Sequence, residues 1–404
     1  MENVNKEMAV STSATRVKKS VSKETFIFLI LIILSFGYLG SKMGLGIMFN
    51  VIMKTAHALL LDTVFFIMAI AVLAGSFAAL LSEFGFVALI NMIISPIMKP
   101  LYGLPGAASI GAITTYLSDN PAVISLAKDK GFVKYFQKHE VPALCNLGTA
   151  FGMGLILTTF MISQGTGTEF VAPVIIGNLG AVLGSIVSVK FMLRYTRKFY
   201  NVSDHIKVST PLLQKNRNYN KVREIRPGSV LERGLDAILE GGKNGVEMGL
   251  AIIPGVLFIC TIVMILTFGP SEVENGVAVY KGVAFEGVNL LPKLGNILSP
   301  ILRPLFGFKN VEAIAFPITS LGSVGAALAL VTEFLKNDII GANEIAVFTA
   351  MGMCWSGYLS THVGMMDALG VRQLANKAIL SHTIGGLCGG VFAHYLYVLY
   401  TLVF

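Results

Sequence analysis

Long apolar stretches, separated by short polar segments, recur along the whole chain. They predict helices over 25–48, 55–82, 86–102, 107–127, 141–163, 171–194, 247–268, 287–305, 311–335, 344–367 and 376–402. Most are close to the roughly 20 residues with which a helix crosses a hydrocarbon layer about 30 Å thick. The pattern predicts an all-α, polytopic membrane protein of about 11 transmembrane or re-entrant helices. Because span 86–102 contains Pro96 and Pro100, it and span 287–305 are expected either to cross the bilayer or to re-enter it.

The composition of the chain also favours a membrane protein. Hydrophobic residues occupy 54% of the 404 positions and charged residues only 13%, whereas about a quarter of a soluble domain is charged. These proportions exclude a soluble enzyme, a disulfide-rich secreted domain and a nucleic-acid-binding protein as primary interpretations. The lipid bilayer is therefore an expected partner, and nucleic acid is not.

Basic residues gather in three segments that one topology places on the same side of the membrane. They are the N-terminus, the loop holding Lys128, Lys130, Lys134 and Lys138, and the connection 194–247, which has eleven basic residues against six acidic ones. Loops rich in Lys and Arg face the cytoplasm. We therefore predict a multi-pass protein of the cell (inner or plasma) membrane with a cytoplasmic N-terminus.

The connection 194–247 separates two halves of the chain. Its first part is polar and aperiodic, which predicts a solvated linker. A helix is expected from Ser229, because Ser229 and Glu232 have the spacing of a capping box and an apolar helical period follows them. We expect this amphipathic helix to lie on the inner membrane surface until the chain enters the bilayer near Val246. The predicted units are 1–54 (N-terminus and extra first helix), 55–194, 195–246 and 247–404.

The two halves resemble each other in sequence. SPIMKPLYGL at 95–104 recurs as SPILRPLFGF at 299–308, and the offset of 204 holds without a gap over 58 positions, 13 of them identical. Each half, 55–194 and 247–402, contains five predicted spans. An odd number of spans inverts the second copy relative to the first. Two inverted-topology repeats are the architecture of alternating-access transporters, which bind solute near the midplane where the repeats meet.

Polar residues beside a helix break form the candidate site of the first repeat. Thr115, Ser118, Asp119 and Asn120 precede Pro121, which removes a backbone donor and disfavours helix at the residue before it. A broken helix exposes backbone groups that bind ions and polar solutes. We expect Thr115, Ser118 and Asn120 to bind solute. Asp119 is expected to bind Na⁺ or carry a proton as the coupling residue, or alternatively to cap a re-entrant turn near water.

The second repeat keeps small polar residues in the corresponding stretch but has no acid there. Thr319, Ser320 and Ser323 are candidate solute-binding residues. Small-residue helix packing, with each hydroxyl bonded to the preceding turn, is the alternative.

The next spans of the two repeats add four larger candidates for solute binding. Asn146 needs a partner, either a solute or another helix. Trp355 either stacks on a planar solute or packs in the core, and His362 either relays protons, binds solute or is a packed histidine. His382 matches Asn178 at the repeat offset, which favours a shared central pocket.

Other polar and reactive residues predict structure rather than chemistry. Glu140 and Glu344 each open a span, where the helix dipole stabilises an acid in the first turn. All four cysteines lie in apolar segments without redox or metal-ligand spacing, as expected of packing residues. We find no phosphate-binding loop, zinc-protease motif or catalytic triad. The sequence therefore predicts neither an enzyme nor an ATP-driven pump, and no cofactor or metal apart from Na⁺ or H⁺ as coupling ion.

Glycine and proline spacing resembles that of a known family. SPIMKPLYGLPG at 95–106 resembles the PL-x-x-x-L-F-G-L-P-G pattern of nucleoside-recognition (Gate) domain membrane proteins, and Gly241 to Pro254 is similar to their G-x-x-x-G…IIP pattern. The layout resembles the YjiH-type members, which carry two such domains. The resemblance implies a fold shared with concentrative nucleoside transporters, FeoB-type iron transporters and spore maturation membrane proteins. The second copy departs from the pattern at Phe308-Lys309-Asn310.

Together these features predict a secondary active transporter of a small polar organic solute, either nucleoside-like, an amino acid or a peptide. The competing hypothesis is a non-transporting membrane module that acts with a partner membrane protein, as in a spore-maturation-type assembly. The expected partners are a small-molecule solute, the lipid bilayer, and either further copies of this chain or a partner membrane protein.

Overall fold

The structure, a computed structural model, describes residues 19–118, 126, 130–133, 135–202 and 225–404. It consists almost entirely of helices, as the sequence predicts. The helices of the first half are α1 (Lys23–Met43), α2 (Leu45–Ala58), α3 (Phe65–Glu83), α4 (Phe86–Tyr102), α5 (Ala108–Leu117), α6 (Lys130–Val133), α7 (Ala143–Thr149), α8 (Gly154–Ser163) and α9 (Val171–Phe199). Those of the second half are α10 (Val230–Gly255), α11 (Thr261–Thr267), α12 (Leu291–Phe306), α13 (Ala315–Gly322), α14 (Val324–Lys336), α15 (Ala342–Cys354), α16 (Tyr358–Ala368) and α17 (Ala375–Val403). An antiparallel hairpin of β1 (Glu272–Glu274) and β2 (Val277–Val279) lies between α11 and α12.

Two wide helical turns join neighbouring helices into longer ones. Leu59–Val64 connects α2 to α3, and Val256–Cys260 connects α10 to α11. The capping box predicted at the start of α10 is confirmed, because Ser229 N donates to the Glu232 carboxylate at 2.7 Å and Glu232 N donates to Ser229 Oγ at 3.3 Å. The helix does not end near Val246, where a boundary between a surface helix and a span was predicted, and its location on the membrane surface stays a prediction. The amphipathic segment and the span after it form one helix, which packs along α3.

Six segments of the described residues are long and apolar enough to cross a membrane. They are Lys23–Met43, Leu45–Glu83, Ala143–Ser163, Val171–Phe199, Val230–Thr267 and Arg372–Val403. On α1 even large apolar side chains such as Phe28 and Leu34 are 64% exposed, which only a lipid environment makes favourable along a whole helix. The chain is thus a multi-pass helical membrane protein, and the full set of eleven spans stays a prediction.

Local structure repeats at the offset found in the sequence. Helices α9 and α17 both contain 29 residues, and their bounds differ by that offset. Helices α4 and α12 each end at a left-handed glycine, Gly103 with φ 75° and Gly307 with φ 68°. Helices α8 and α16 each follow a left-handed residue, Met153 with φ 55° and Gly357 with φ 61°. The inverted relation of the two halves stays a prediction.

Glycines allow two pairs of helices from opposite halves to cross at close range. A Cβ on Gly184 of α9 would lie 2.5 Å from the carbonyl oxygen of Gly385 on α17. A Cβ on Gly75 of α3 would lie 2.5 Å from the carbonyl oxygen of Gly241 on α10. The halves therefore touch backbone to backbone, as small residues permit between membrane helices.

Ionic contacts fasten the start of α10 to the end of α3. The Glu83 carboxylate, 8% exposed, accepts hydrogen bonds from Arg226 Nη1 and Arg233 Nε, each at 2.8 Å. Further along, Ser76 Oγ donates to the carbonyl of Ile238 at 2.9 Å. Removing Glu83 would leave Arg233 without its carboxylate and Arg226 with Glu240 alone, so this cluster helps to hold the two helices in register.

A buried carboxylate organises the loop between α11 and α12. Glu286 is 2% exposed and accepts hydrogen bonds from the backbone N–H groups of Lys281 at 2.8 Å, Gly282 at 2.7 Å and Val283 at 3.1 Å, and from the Ser271 hydroxyl. Burial raises the pKa of Glu286, but these donors lower it by more, so its pKa lies below the ordinary 4.5.

Replacing Glu286 by glutamine is expected to lower the free energy of unfolding by roughly 2 kcal/mol, because an amide is a weaker acceptor and turns an NH₂ group toward donors. Since the folded-state pKa of Glu286 is lowered, its contribution is present at neutral pH and is lost as the pH falls below 4.5. The stability gap between wild type and variant should therefore close in acid, which thermal unfolding in detergent measures. Exposed Glu274→Gln is the control. Equal melting temperatures of wild type and Glu286→Gln at neutral pH would contradict the assignment.

Candidate functional site

Three helix interruptions and the end of α5 meet around one cavity of about 750 Å³. In the first half, α5 ends before Ser118 and α7 is separated from α8 at Met153. In the second half, α13 is separated from α14 at Ser323 and α15 from α16 at Gly357. Ser118, Met153, Ser323 and Gly357 all line the cavity. Two of these four positions come from each half.

The two crossing helices α3 and α10 complete the wall. Their residues on this side are mostly small, including Ala71, Gly75 and Ala78 on α3 and Gly241 and Gly245 on α10. Small side chains leave room between the helices without separating their backbones. The cavity therefore lies between the halves, where the sequence predicts the solute site.

The interruptions give the cavity its polarity. Ser323, Met153 and Gly357 are the N-caps of α14, α8 and α16. The Ser323 hydroxyl accepts a hydrogen bond from the N–H of Ala326 at 3.2 Å. The first turns of a helix carry N–H groups without intrahelical partners, and the helix dipole is positive there. The cavity therefore suits oxygen-bearing groups such as hydroxyls, carbonyls and carboxylates.

Two of the polar wall residues that the sequence analysis did not predict lie on α10. Asn244 and Glu247 on α10 line the cavity, and no ion pair of Glu247 occurs within the described part of the chain. The sequence analysis assigned this segment to the membrane surface, where a charge needs no special role. The signal in the sequence that could have identified Glu247 is an acid at the start of an apolar span, close to Gly241 and Gly245.

The predicted residues on the interrupted helices divide into two groups. Ser118 and Ser323 line the cavity. Thr115, Thr319 and Ser320 are buried, and each hydroxyl donates to its own helix, as the packing alternative expects: Thr115 to Gly111 at 2.8 Å, Thr319 to Ala315 at 2.7 Å and Ser320 to Pro317 at 2.9 Å. Asp119 and Asn120 lie outside the described residues.

A second group of predicted residues forms a buried hydrogen-bond chain between the halves. Asn146 Nδ2 donates to Ser188 Oγ at 3.0 Å and to the carbonyl of Ala378 at 3.1 Å. Ser188 Oγ also pairs with His382 Nδ1 at 2.9 Å, and His382 Nε2 pairs with the carbonyl of Cys354. The chain joins α7 and α9 of the first half to α15 and α17 of the second.

Three buried polar atoms in this region have no hydrogen-bond partner among the described residues: Asn146 Oδ1, Trp355 Nε1 and His362 Nε2. The ring centroid of His362 lies 4.6 Å from that of His382. An unpaired buried polar atom costs about 1–3 kcal/mol, so each should gain a partner from water, solute or another conformation. Asn146, Trp355, His362 and His382 are not among the residues that line the cavity, and their role in solute binding stays a prediction.

The matched residues Asn178 and His382 have different surroundings. Asn178 Oδ1 accepts from the Tyr116 hydroxyl at 3.0 Å, and Asn178 Nδ2 donates to Thr158 Oγ1 at 3.0 Å. His382 instead pairs with Ser188. The two residues therefore occupy separate polar clusters: that of Asn178 lies within the first half, and that of His382 lies between the halves.

Of the two acids predicted to open spans, Glu344 lies in the first turn of α15, whereas Glu140 lies in a turn before α7. Glu140 accepts from the N–H of Gln137 at 2.8 Å, and Glu344 accepts from those of Lys309 and Gly341, each at 3.0 Å. Cys145, Cys260 and Cys354 are buried, and Cys388 is half-buried. Within the described residues no group of His, Cys, Asp and Glu has an arrangement that would hold a metal ion.

Comparison with solved structures establishes the fold. A variant of CNTnw, a concentrative nucleoside transporter, in an outward-facing state matches 92% of this chain and 84% of its own length, with a TM-score of 0.52 and 15% identity. CNTnw in an intermediate state matches 92% and 87%, with a TM-score of 0.52 and 14% identity. CNTnw in an inward-facing substrate-bound state matches 92% and 86%, with a TM-score of 0.50 and 15% identity. The chain has the fold of a concentrative nucleoside transporter.

This fold is one that the sequence resemblance implied. No protein-family model matches the chain, and no curated protein matches its sequence. Membership of the Gate-domain and YjiH-type groups therefore stays a prediction. The solved structures named above are of a transporter.

Proposed function

We propose that this chain is a secondary active transporter of a small polar organic solute. The supporting observation is the convergence of three helix interruptions and the end of α5, two of these four from each half, on one cavity of about 750 Å³. That volume lies in the range of small-molecule sites, about 300–1,000 Å³. Because the similar structures are of a nucleoside transporter, a nucleoside-like solute is the first class to test, followed by amino acids and peptides.

The proposed mechanism is alternating access between two inverted repeats. The solute binds where the repeats meet, with its oxygen atoms directed at the helix N-termini of α8, α14 and α16. Movement of one group of helices past the other then exposes the cavity first to one side of the membrane and afterwards to the other. The cytoplasmic N-terminus predicted from the loop charges fixes which side is which.

Coupling to Na⁺ or H⁺ is proposed to involve Asp119, with Glu247 as a second acid. Asp119 directly follows Ser118, which lines the cavity, and it is the counterpart of Ser323 at the repeat offset. Ser323 caps α14, so a capping role for Asp119 is the alternative. Asparagine caps helices about as well as aspartate but carries no charge. Asp119→Asn therefore separates the two roles.

Reconstitution into proteoliposomes tests the proposal. Uptake of a nucleoside such as uridine should rise when an inward Na⁺ or proton gradient is imposed. Asp119→Asn should remove the gradient dependence while the protein keeps its melting temperature, and Glu247→Gln should weaken uptake. Unchanged gradient-driven uptake in Asp119→Asn would exclude Asp119 as the coupling residue. If the purified chain neither binds nor carries any solute of a panel of nucleosides, nucleobases, amino acids and peptides, the partner-module hypothesis replaces the transporter.

A further inference from the structure

A basic pocket lies at the ends of α4 and α9, apart from the central cavity. It has a volume of about 600 Å³. Cations from two helices almost a hundred residues apart in sequence converge on it: Lys99, Lys190, Arg194, Arg197 and Lys198. We propose that this pocket binds the phosphate headgroup of an anionic phospholipid.

Among the described residues, few acids compensate the charge of the pocket. Glu140 is the acid that interacts electrostatically with Lys99 and Arg197, and its carboxylate also accepts the hydrogen bond from Gln137. No ion pair of Lys99, Lys190, Arg194 or Lys198 occurs in the described part of the chain. Positive charges held this close repel one another. An anion with several oxygen atoms relieves that repulsion and accepts hydrogen bonds from several of the cations.

The surroundings of the pocket favour a lipid over a free anion. The lining includes the apolar side chains of Pro100, Leu193 and Val202 beside the cations. Leu101, Phe191 and Phe199, on the same helix ends, are 38%, 37% and 45% exposed. Phosphate alone would make no use of this apolar surface. A phospholipid would place its headgroup among the cations and its acyl chains along the exposed side chains.

The matched region of the second repeat lacks this charge. At the repeat offset Arg303 replaces Lys99, but His394, Val398, Thr401 and Leu402 replace Lys190, Arg194, Arg197 and Lys198. There His394 Nδ1 pairs with Asn343 Oδ1 at 2.7 Å, and the Tyr395 hydroxyl donates to the carbonyl of Pro304 at 2.8 Å. The fold therefore does not require the basic residues. An excess of Lys and Arg in cytoplasmic loops sets the orientation of a protein in the membrane, but it does not require these residues to gather in one concave site. The pocket therefore needs another explanation.

Native mass spectrometry and thermal shift of the purified full chain in neutral detergent test the proposal. Phosphatidylglycerol should bind and raise the melting temperature, whereas phosphatidylcholine with the same acyl chains should not. The triple variant Lys190→Gln, Arg194→Gln, Lys198→Gln should bind phosphatidylglycerol roughly ten-fold or more weakly. The control triple Lys19→Gln, Lys23→Gln, Lys42→Gln removes the same charge from exposed positions outside the pocket and should bind like wild type.

Two results would contradict the proposed lipid site. Equal affinity of wild type and the pocket triple for phosphatidylglycerol would overturn the site. Protection by inorganic phosphate as strong as that by phosphatidylglycerol would assign the pocket to a soluble anion and overturn the lipid. If the triple variant of the pocket residues does not fold, the charge-retaining Lys190→Arg variant and a salt titration of the wild type test whether the pocket binds lipid. Lipid binding should then survive the substitution and weaken as salt screens the cations, and salt-independent binding would overturn the proposal.

Discussion

Replacing Ala251 by tryptophan is expected to reduce solute uptake by roughly ten-fold or more, because the indole occupies space that the solute needs. Ala251 lies on α10, lines the cavity and has its side chain exposed to it. Its methyl group makes no polar contact, so the substitution removes no hydrogen bond. The same variant should lose the rise in melting temperature that a bound solute gives to the wild type by mass action.

Leu250→Trp is the matched control for this experiment. Leu250 precedes Ala251 on the same helix, is 53% exposed and is not among the residues that line the cavity. The control should transport and bind like wild type, since its indole faces away from the cavity. Full uptake and a full solute-induced shift in Ala251→Trp would mean that the solute binds elsewhere. Loss of uptake in both variants would instead point to a defect in packing around α10.

The helices were predictable because each carries its own local signals. Span 86–102 was predicted with the bounds that α4 has, since Gly85 and Gly103 flank an apolar run and cap it in the left-handed conformation. The interruption at Ser323 was not predicted, since 311–335 was assigned to one span, although local signals for it exist. Glycine at 322 and 325 beside a serine weakens the helix there, and serine is a favoured N-cap.

The location of α10 was not predictable from its own residues. Its charged and apolar positions satisfy both a surface helix and a helix with one face on a polar cavity. The arrangement that forms depends on Gly75 and Ala71 of α3, more than 160 residues earlier in the chain. These small residues let the backbone of α3 contact the backbone of α10 at Gly241 and Gly245. That long-range contact places Asn244 and Glu247 at the cavity. The periodicity of a single segment carries no information about such a contact.

The buried polar residues between the halves were also predictable only in part. The sequence identified Asn146, His362 and His382 as polar residues in apolar spans, which the cost of burying polar groups makes noteworthy. It did not identify Ser188, whose hydroxyl connects Asn146 to His382. A serine on a long helix is common, and only the crossing of α9 and α17 places this one between the two larger side chains.

Replacing Gly184 by leucine is expected to prevent the two halves from assembling. Its Cβ would lie 2.5 Å from the carbonyl oxygen of Gly385 and 2.8 Å from the Cα of Gly389. Both are backbone atoms, so no rotamer change removes the overlap. Helices α9 and α17 would have to separate, which breaks the Asn146–Ser188–His382 chain as well. The cost should exceed the roughly 1–3 kcal/mol of ordinary overpacking.

Size-exclusion chromatography and thermal unfolding in detergent measure this effect. Gly184→Leu should yield aggregated protein or none, and Gly184→Ala should yield folded protein with a clearly lower melting temperature. Gly364→Leu is the control, because a Cβ at Gly364 meets nothing within 4 Å, and it should behave like wild type. A monodisperse Gly184→Leu protein with the wild-type melting temperature would mean that α9 and α17 do not cross at this glycine. In that case the crossing of α3 and α10 at Gly75 and Gly241 would be the remaining backbone contact described above between the halves.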